Sequence, residues 1–483
     1  MIEKRGRIVV VGGGISGLAA AYELARARQD GARINELLIE GSPRLGGLIR
    51  TERRDGFVIE GGPDSFLSEK PEAAELARKL GLGEALVGSN DSERHTYILN
   101  RGRLVPLPDG TMLMIPTRLW PTLRSPLIPF ASYWVMARDC FRRPSVAENP
   151  DQDESVASFV RRHFGKAVLE NIADPLLAGV YGGDSETLSV QATLPRFWEM
   201  EQRHGSVIRA AWAARRRPQA VAKGQVKARP LFTTLQGGLE QLARGIVAKL
   251  EPSKVLLGRK VVAIARIENE KGRFVLRMDS GANYEADAVI LALPGREVAR
   301  LLKPIEPAAE ELVALPYSSA VTVSLAYASR VALPPGFGFL VPRRENRRTL
   351  ACTFVHRKFP GRAPEGKALL RCFLGGMRDP KAVCLSDDEL VAIVLGELKE
   401  ILGLNEQPIF TRVFRWPEAL PQYTIGHRKR AQRILDRLSP ERGIFLAGNT
   451  YSGIGISDCI RSGREAARQA TRAISSSSNA PPV

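Results

Sequence analysis

An α/β fold built on a parallel sheet is predicted by three observations in the first 40 residues. Residues 7–11, RIVVV, form a short β-branched run; residues 16–28 carry small residues at helical spacing; and residues 36–40, ELLIE, form a second apolar run that ends on an acid. Strand, turn, helix and strand in that order make the unit in which parallel strands are joined by a crossover helix. The turn is GGGISG, so Gly12, Gly14 and Gly17 form G-x-G-x-x-G. The first glycine permits the tight turn, the second lets backbone approach a pyrophosphate, and the third lets helix and strand pack closely. The helix N-terminus, with Gly13, Ile15 and Ser16, then faces phosphate with unpaired N–H groups. Glu40 stands 23 positions after Gly17, where a carboxylate accepts hydrogen bonds from ribose hydroxyls and disfavours a 2′-phosphate.

The whole chain, 483 residues, is long enough for two or three domains. Its 70 Lys and Arg against 52 Asp and Glu leave a formal charge of +18, which suits an acidic ligand, an anionic membrane surface or nucleic acid. Nucleic acid is set aside, because no binding motif is present and aromatic side chains that could stack on bases make up only 6% of residues. The five cysteines form no C-x-x-C pair and the five histidines no ligand spacing, so no metal is expected and the thiols read as reduced, in the cytoplasm. No apolar run precedes the first strand and no stretch of about 18 uncharged apolar residues occurs, so neither a signal segment nor a membrane span is expected.

Past Glu40 the chain reads Arg44-Leu45-Gly46-Gly47-Leu48, a cation and permissive residues where backbone can again run beside a charged group. E-x-x-x-R-x-G-G in this place resembles the two-dinucleotide-binding-region flavoproteins, and the resemblance implies that these residues contact FAD. Residues 55–65, DGFVIEGGPDS, read as a strand ending at a turn, and the resemblance lays Gly62, Pro63, Asp64 and Ser65 against the cofactor. Residues 71–80 read as an amphipathic helix with proline at its start.

Residues 94–107, RHTYILNRGRLVPL, predict a hairpin turning at 100–102. R-x-x-Y-I-x-x-x-G-x-L resembles the oxygen-dependent protoporphyrinogen/coproporphyrinogen oxidase family, which implies that Arg94 holds a propionate of the substrate through two parallel hydrogen bonds. Residues 117–141 set Leu119, Trp120, Leu123, Phe130, Tyr133 and Trp134 among arginines, and both a helical core and an interfacial membrane surface fit them. The family's helical domain is implicated in membrane attachment, so a peripheral contact stays open. Residues 154–168 predict a helix capped by Ser155, and 174–189 resemble the family's helix-to-turn element, with Gly179 beside the flat macrocycle. The basic segment 215–229 reads as a solvated loop.

A helix is expected from 236 to about 250, and the β-rich runs 261–267, 273–278 and 288–293 read as a meander, with Val262 offered to the adenine side by the resemblance. DAVILALP, 287–294, reads as a buried strand. Further strands are expected at 320–328, 337–342 and 369–376. Leu340 and Phe373 match the family's apolar pair that sandwiches a pyrrole ring, although on their own they fit ordinary sheet core.

Trp416 precedes A-L-P-Q-Y-x-x-G-H, similar to the family's approach to its last cofactor contact. Residues 443–468 then run from a buried strand into Gly448-Asn449, and Gly453-Ile454-Gly455-Ile456 opens a helix whose first N–H groups can face flavin and pyrophosphate. This closing motif resembles amine-oxidase-like flavoproteins and, through Y-x-G-x-x-x-x-D-C-I-x-S-G-R, the porphyrinogen oxidases above all. Cys459 matches a family cysteine that carries no flavin, so noncovalent FAD is implied.

The resemblance thus implies a Rossmann-like FAD domain from 1–93, 231–302 and 416–475, an inserted helical domain at 94–230, an α+β substrate domain at 303–415 and a disordered tail at 476–483. The implied activity is six-electron oxidation of protoporphyrinogen IX by dioxygen in three flavin cycles, giving protoporphyrin IX and hydrogen peroxide for haem synthesis. Flavin carries such chemistry, so no acid–base triad is required and none is visible. Coproporphyrinogen III, with four propionates to the other's two, is the alternative substrate. A flavin amine oxidase shares both FAD motifs but needs an aromatic cage that the sequence does not place. A non-catalytic flavin-binding scaffold is the remaining class. The expected setting is the cytoplasm or the inner face of the cell membrane, with product handed to a ferrochelatase.

Overall fold

Apolar runs without polar interruption must be covered on both faces, and in the computed structural model they assemble as one parallel sheet. The structure describes residues 5–108, 111–112, 115–116, 125–142, 153–216, 229–267, 273–438 and 442–478. The parallel sheet has the order Val255–Leu257, Ile34–Glu40, Gly6–Val11, Ala288–Leu291, Ile444–Leu446. Helices Ile15–Gln29 and Ile456–Ser478 cover one face and cross closely. A Cβ on Gly463 would lie 2.0 Å from the Ser16 carbonyl oxygen, so the crossing tolerates no side chain there.

The run at 288–291 takes an interior place in the parallel sheet, between Gly6–Val11 and Ile444–Leu446, rather than a place in a meander, pairing from Ile8↔Ala288 to Val11↔Leu291. Ala288, Val289, Ile290 and Leu291 are all fully buried, a demand that a doubly covered interior strand meets. The three-stranded antiparallel sheet is completed instead by Asn283–Ala286, beside Val261–Arg266 and Phe274–Met278. Val262 falls at a register shift of that sheet, and its carbonyl accepts from Arg300 Nη1 at 2.9 Å.

A second, seven-stranded sheet has the order Phe410–Pro421, Tyr317–Tyr327, Ala368–Gly375, Thr349–Phe354, Gly338–Leu340, Thr96–Asn100, Arg103–Pro106. The hairpin turns where expected, with Arg101 at φ +53° and Gly102 at φ +73°, left-handed values that suit a two-residue turn. Both the hairpin and the Phe410–Pro421 strand pair into this sheet, which departs from divisions at 94 and 416. Helix Asp387–Leu402 packs behind it, its start closed by a reciprocal cap between Ser386 and Glu389.

The helical part packs Phe130–Cys140, Val156–Phe164, Asp174–Tyr181, Pro195–His204 and Val207–Arg216 around Phe159, Phe164, Ile172 and Val207. Ser155 Oγ caps its helix by accepting from Ser158 N, but the helix expected to reach 168 breaks at Gly165, φ +91°. A buried polar cluster ties the helices together. Asp139 Oδ1 bonds His163 Nδ1 at 2.5 Å and Oδ2 accepts from Ser206 Oγ at 2.7 Å, while His163 Nε2 lies 3.2 Å from Glu201 Oε1.

Leu127 and Ile128 are core, whereas Phe130, Trp134 and Phe141 are exposed; Leu119, Trp120 and Leu123 lie outside the described residues, as does most of the basic 215–229 segment. Where disorder is expected from 476, the chain is helical to Ser478, and 479–483 lie outside the described residues. Among the described residues no helix is long and apolar enough to cross a membrane.

Candidate active site

The glycine turn behaves as its spacing requires. A Cβ on Gly12, φ +107°, would lie 2.4 Å from Ala292 O, and one on Gly17 would lie 1.8 Å from Gly12 O, so packing alone demands glycine at both. Gly14 differs: a Cβ there would meet nothing within 4 Å. That open space over a helix N-terminus is a cradle which a Cβ would fill, and it fits a phosphate group. Glu40 Oε2 accepts from Gly13 N at 2.5 Å and Oε1 from Ser42 N at 2.7 Å, holding strand end and turn together.

Next comes the 44–49 loop. Arg44 donates to the carbonyls of Leu45 and Ile49 at 3.1 Å and to that of Gly47, so its guanidinium folds the loop. Gly46 bridges Gly14, and a Cβ on Gly47 would lie 3.0 Å from Gly14 Cα. A Cβ on Gly62 would stand 1.8 Å from Leu48 O. Bare backbone therefore runs from Glu40 through Gly14 and Gly47 to Gly62, a path suited to an extended dinucleotide.

The closing motif packs on the start of the Ile15–Gln29 helix, where a Cβ on Gly463 would meet Ser16 O. Ser462 Oγ accepts from Gly448 N, Tyr423 OH donates to Asn449 O at 2.5 Å, and Ile454, Gly455 and Ile456 enter the Ile456–Ser478 helix. Buried Asp458 accepts from Lys70 Nζ at 2.5 Å and Arg461 Nη2 at 2.6 Å. Burial pushes the Cys459 thiol up to about 11, so it is no nucleophile at neutral pH.

His427 stacks on Tyr423 at 4.0 Å and 11°, and burial depresses its pKa to about 4. The unfolded value is about 6.5, so the fold favours neutral histidine; this stability is complete above pH 6.5 and is lost as pH falls through 4. Urea unfolding at pH 7 and 4.5 should show a loss of roughly 2–3 kcal/mol from this group, and His427→Gln should flatten the difference by that amount. An equal loss in the variant removes the assignment.

The substrate side is set by sheet register. Leu340↔Ala351, Ala351↔Phe373, Phe373↔Thr322 and Thr322↔Phe414 are successive partners, so these residues share one face of the seven-stranded sheet. That face meets the 61–62 turn: Thr322 Oγ1 donates to Gly61 O at 3.1 Å and Trp416 Nε1 to the same oxygen at 2.8 Å. Gly179 is exposed, and a Cβ there would touch only Leu340 Cδ2, at 3.2 Å. Gly179, Leu340, Phe373 and Trp416 thus border one region. Arg94 stands apart, at the entrance to strand Thr96–Asn100, exposed and without a hydrogen bond or ion pair among the described residues.

Sequence reading missed the charged groups behind the 61–63 turn. Asp64 Oδ2 accepts from Lys358 Nζ at 3.0 Å and Oδ1 from Ser65 Oγ at 2.6 Å. Burial acts to raise the Asp64 pKa, but Lys358 and Arg371 outweigh it and hold the carboxyl well below its usual range. Arg371 donates to Gly61 O at 3.2 Å and to Gly62 O, and stacks 4.8 Å from the Phe373 centroid. Glu60 faces Arg362 Nη1 at 3.3 Å and accepts from Thr51 Oγ1 and Leu239 N; its burial prevails and raises its pKa. Asp64 and Lys358 are 294 residues apart, and no local pattern links them. Among the described residues no three His, Cys, Asp or Glu are grouped to hold a metal.

Comparison with known proteins identifies the family. Residues 15–471 match the family model described as flavin containing amine oxidoreductase. The chain is 36% identical over 477 residues to the coproporphyrinogen III oxidase of Bacillus subtilis (strain 168), covering 97% of this chain and 99% of that protein. It is 30% identical to protoporphyrinogen oxidase 1, chloroplastic, of Arabidopsis thaliana, covering 95% and 87%. A crystal structure from Exiguobacterium sp. 255-15 superposes with TM-score 0.84 at 34% identity, over 97% of this chain and 99% of that one.

Proposed function

Because this chain belongs to the porphyrinogen oxidases within the flavin-containing amine oxidoreductases, we propose that it binds FAD noncovalently and oxidises coproporphyrinogen III to coproporphyrin III, with dioxygen as acceptor. Protoporphyrinogen IX, the first expectation from sequence, yields to the alternative. The relative named for coproporphyrinogen III is 36% identical, the one named for protoporphyrinogen 30%, and a chain of charge +18 suits four propionates better than two. The observation that supports the reading is the shared sheet face, which carries Phe373 next to Thr322, where Thr322 and Trp416 converge on the Gly61 carbonyl, and Leu340 two strands further along.

Bound FAD would take up the electron pair released in each of three dehydrogenations and pass it to dioxygen. The chain's own part is orientation and exclusion of water. Gly12, Gly14 and the helix N-terminus hold phosphate, Glu40 the ribose, and Gly47 and Gly62 leave room along the path. Leu340 and Phe373 pack on a pyrrole ring, Gly179 keeps side chains clear of the macrocycle, and Arg94 takes a propionate.

Anaerobic mixing with coproporphyrinogen III, protoporphyrinogen IX or a polyamine tests this. Coproporphyrinogen III should bleach the flavin, and air should restore it as porphyrin fluorescence appears. Faster bleaching by protoporphyrinogen IX reverses the substrate assignment, and bleaching by the polyamine alone makes the protein an amine oxidase. Arg94→Ala should raise KM for the porphyrinogen about tenfold with little change in kcat, the loss expected of one charge-assisted contact of roughly 1.5 kcal/mol. An unchanged KM removes Arg94 from the site.

A further inference from the structure

Five ionisable side chains meet behind the Gly61-Gly62-Pro63 turn. Glu60 and Asp64 come from the turn's two ends, and Lys358, Arg362 and Arg371 come from the segment that follows strand Thr349–Phe354 and from strand Ala368–Gly375. All are buried or nearly so, with Arg362 1% and Arg371 4% exposed. Three cations against two carboxylates leave one positive charge, with little water to screen it.

The array does more than pair internally. Arg371 caps the carbonyls of Gly61 and Gly62, and its Nε is buried without a hydrogen-bond partner among the described residues. Lys358 also lies over the rings of Phe232 and Phe359, 4.6 and 5.1 Å from their centroids, which restricts its ammonium to the Asp64 side. The backbone path from Glu40 ends at Gly62, whose carbonyl accepts from Arg371 while a Cβ on it would face Leu48 O. A ring at the end of that path would have the turn as its wall and the charged array behind the wall.

We propose that Lys358 and Arg371, oriented by Asp64, are positioning residues that hold the 61–63 turn and place a net positive charge behind it to raise the electron affinity of the bound flavin. The inference rests on the proposal that FAD lies along this path. A reduced or anionic ring gains negative charge, and a fixed cation behind the turn favours that state over the oxidised neutral one.

Sulfite is the probe, titrated into the oxidised, flavin-loaded protein without any porphyrinogen. Its sulfur lone pair forms a bond to the ring and the ring takes the negative charge, so affinity reports the local potential with no further reagent. Asp64→Asn keeps the shape and raises the array to two net positive charges; sulfite should bind about tenfold tighter, and the flavin midpoint potential should rise by the equivalent of about 30 mV for a two-electron couple. Lys358→Met takes the array to zero and should weaken sulfite about tenfold. The double variant returns the charge to one and should lie within about twofold of the parent, as should Lys358→Arg.

A merely structural network predicts otherwise: both single variants weaken binding and the double is worst. Unchanged or weaker sulfite binding by Asp64→Asn overturns the inference, as does a double variant that fails to return. Should Lys358→Met lose its flavin, Asp64→Asn decides alone. A wrong porphyrinogen leaves these titrations untouched, whereas a parent protein that takes up no flavin overturns both this inference and the proposed function.

Discussion

Gly62→Ala should leave the protein without flavin. The added methyl would stand 1.8 Å from Leu48 O, a backbone atom, so no rotamer can relieve the clash. Neither side is free to shift. Arg44 ties the 44–49 loop through three carbonyls, and Thr322, Trp416 and Arg371 converge on the Gly61 carbonyl. Overpacking against a rigid neighbour costs about 1–3 kcal/mol, and the strain falls on the wall of the cofactor path. The flavin Kd should rise about 100-fold, close to 3 kcal/mol and the upper end of that range, read from flavin stoichiometry after gel filtration and from fluorescence titration. Gly14→Ala is the contrast. Its methyl meets no atom of the described residues within 4 Å, so the flavin-free protein should melt as the parent does while flavin binding weakens. Parent-like flavin affinity in Gly62→Ala would detach the 61–63 turn from the cofactor.

Asp139→Ala should unfold the helical part early. Asp139 is 1% exposed and links helix Phe130–Cys140 to His163 and Ser206 on two other segments. Its removal leaves His163 Nδ1 and the Ser206 hydroxyl buried without this partner, beside Glu201 and Arg162, themselves ion-paired. Breaking a buried charged cluster on one side costs about 3–5 kcal/mol, against roughly 1 kcal/mol for an ordinary hydrogen bond. Urea unfolding followed by tryptophan fluorescence should show a transition lowered by about 3 kcal/mol, with flavin retained because the cluster lies apart from the Glu40–Gly62 path. Asp139→Asn keeps an acceptor and should lose less than half as much. A change below about 0.5 kcal/mol in the alanine variant would mean that the apolar core carries the helices by itself.

Much of the architecture is legible locally. The Gly6–Val11 strand, the Ile15–Gln29 helix and the hairpin at 96–106 follow from β-branched runs, small-residue helical spacing and a turn that demands positive φ. The Ser386 and Glu389 reciprocal cap is equally legible, since S-x-x-E announces the Asp387–Leu402 helix. Arg44 shows where local reading stops: its spacing from Glu40 marks the loop, but whether a guanidinium faces a ligand or its own carbonyls depends on how that loop closes.

Alone, then, the sequence determined the strand–turn–helix unit, the closing glycine motif and the family, because φ requirements and hydrophobic periods act within a few residues. Only the tertiary structure decided that Ala288–Leu291 pairs beside Gly6–Val11 inside the parallel sheet, that Leu340 and Phe373 share a face with Trp416, and that Asp64 meets Lys358 across 294 positions. Those outcomes depend on which apolar surfaces cover one another and on which charges are then buried together, and neither is written in the spacing of neighbouring residues.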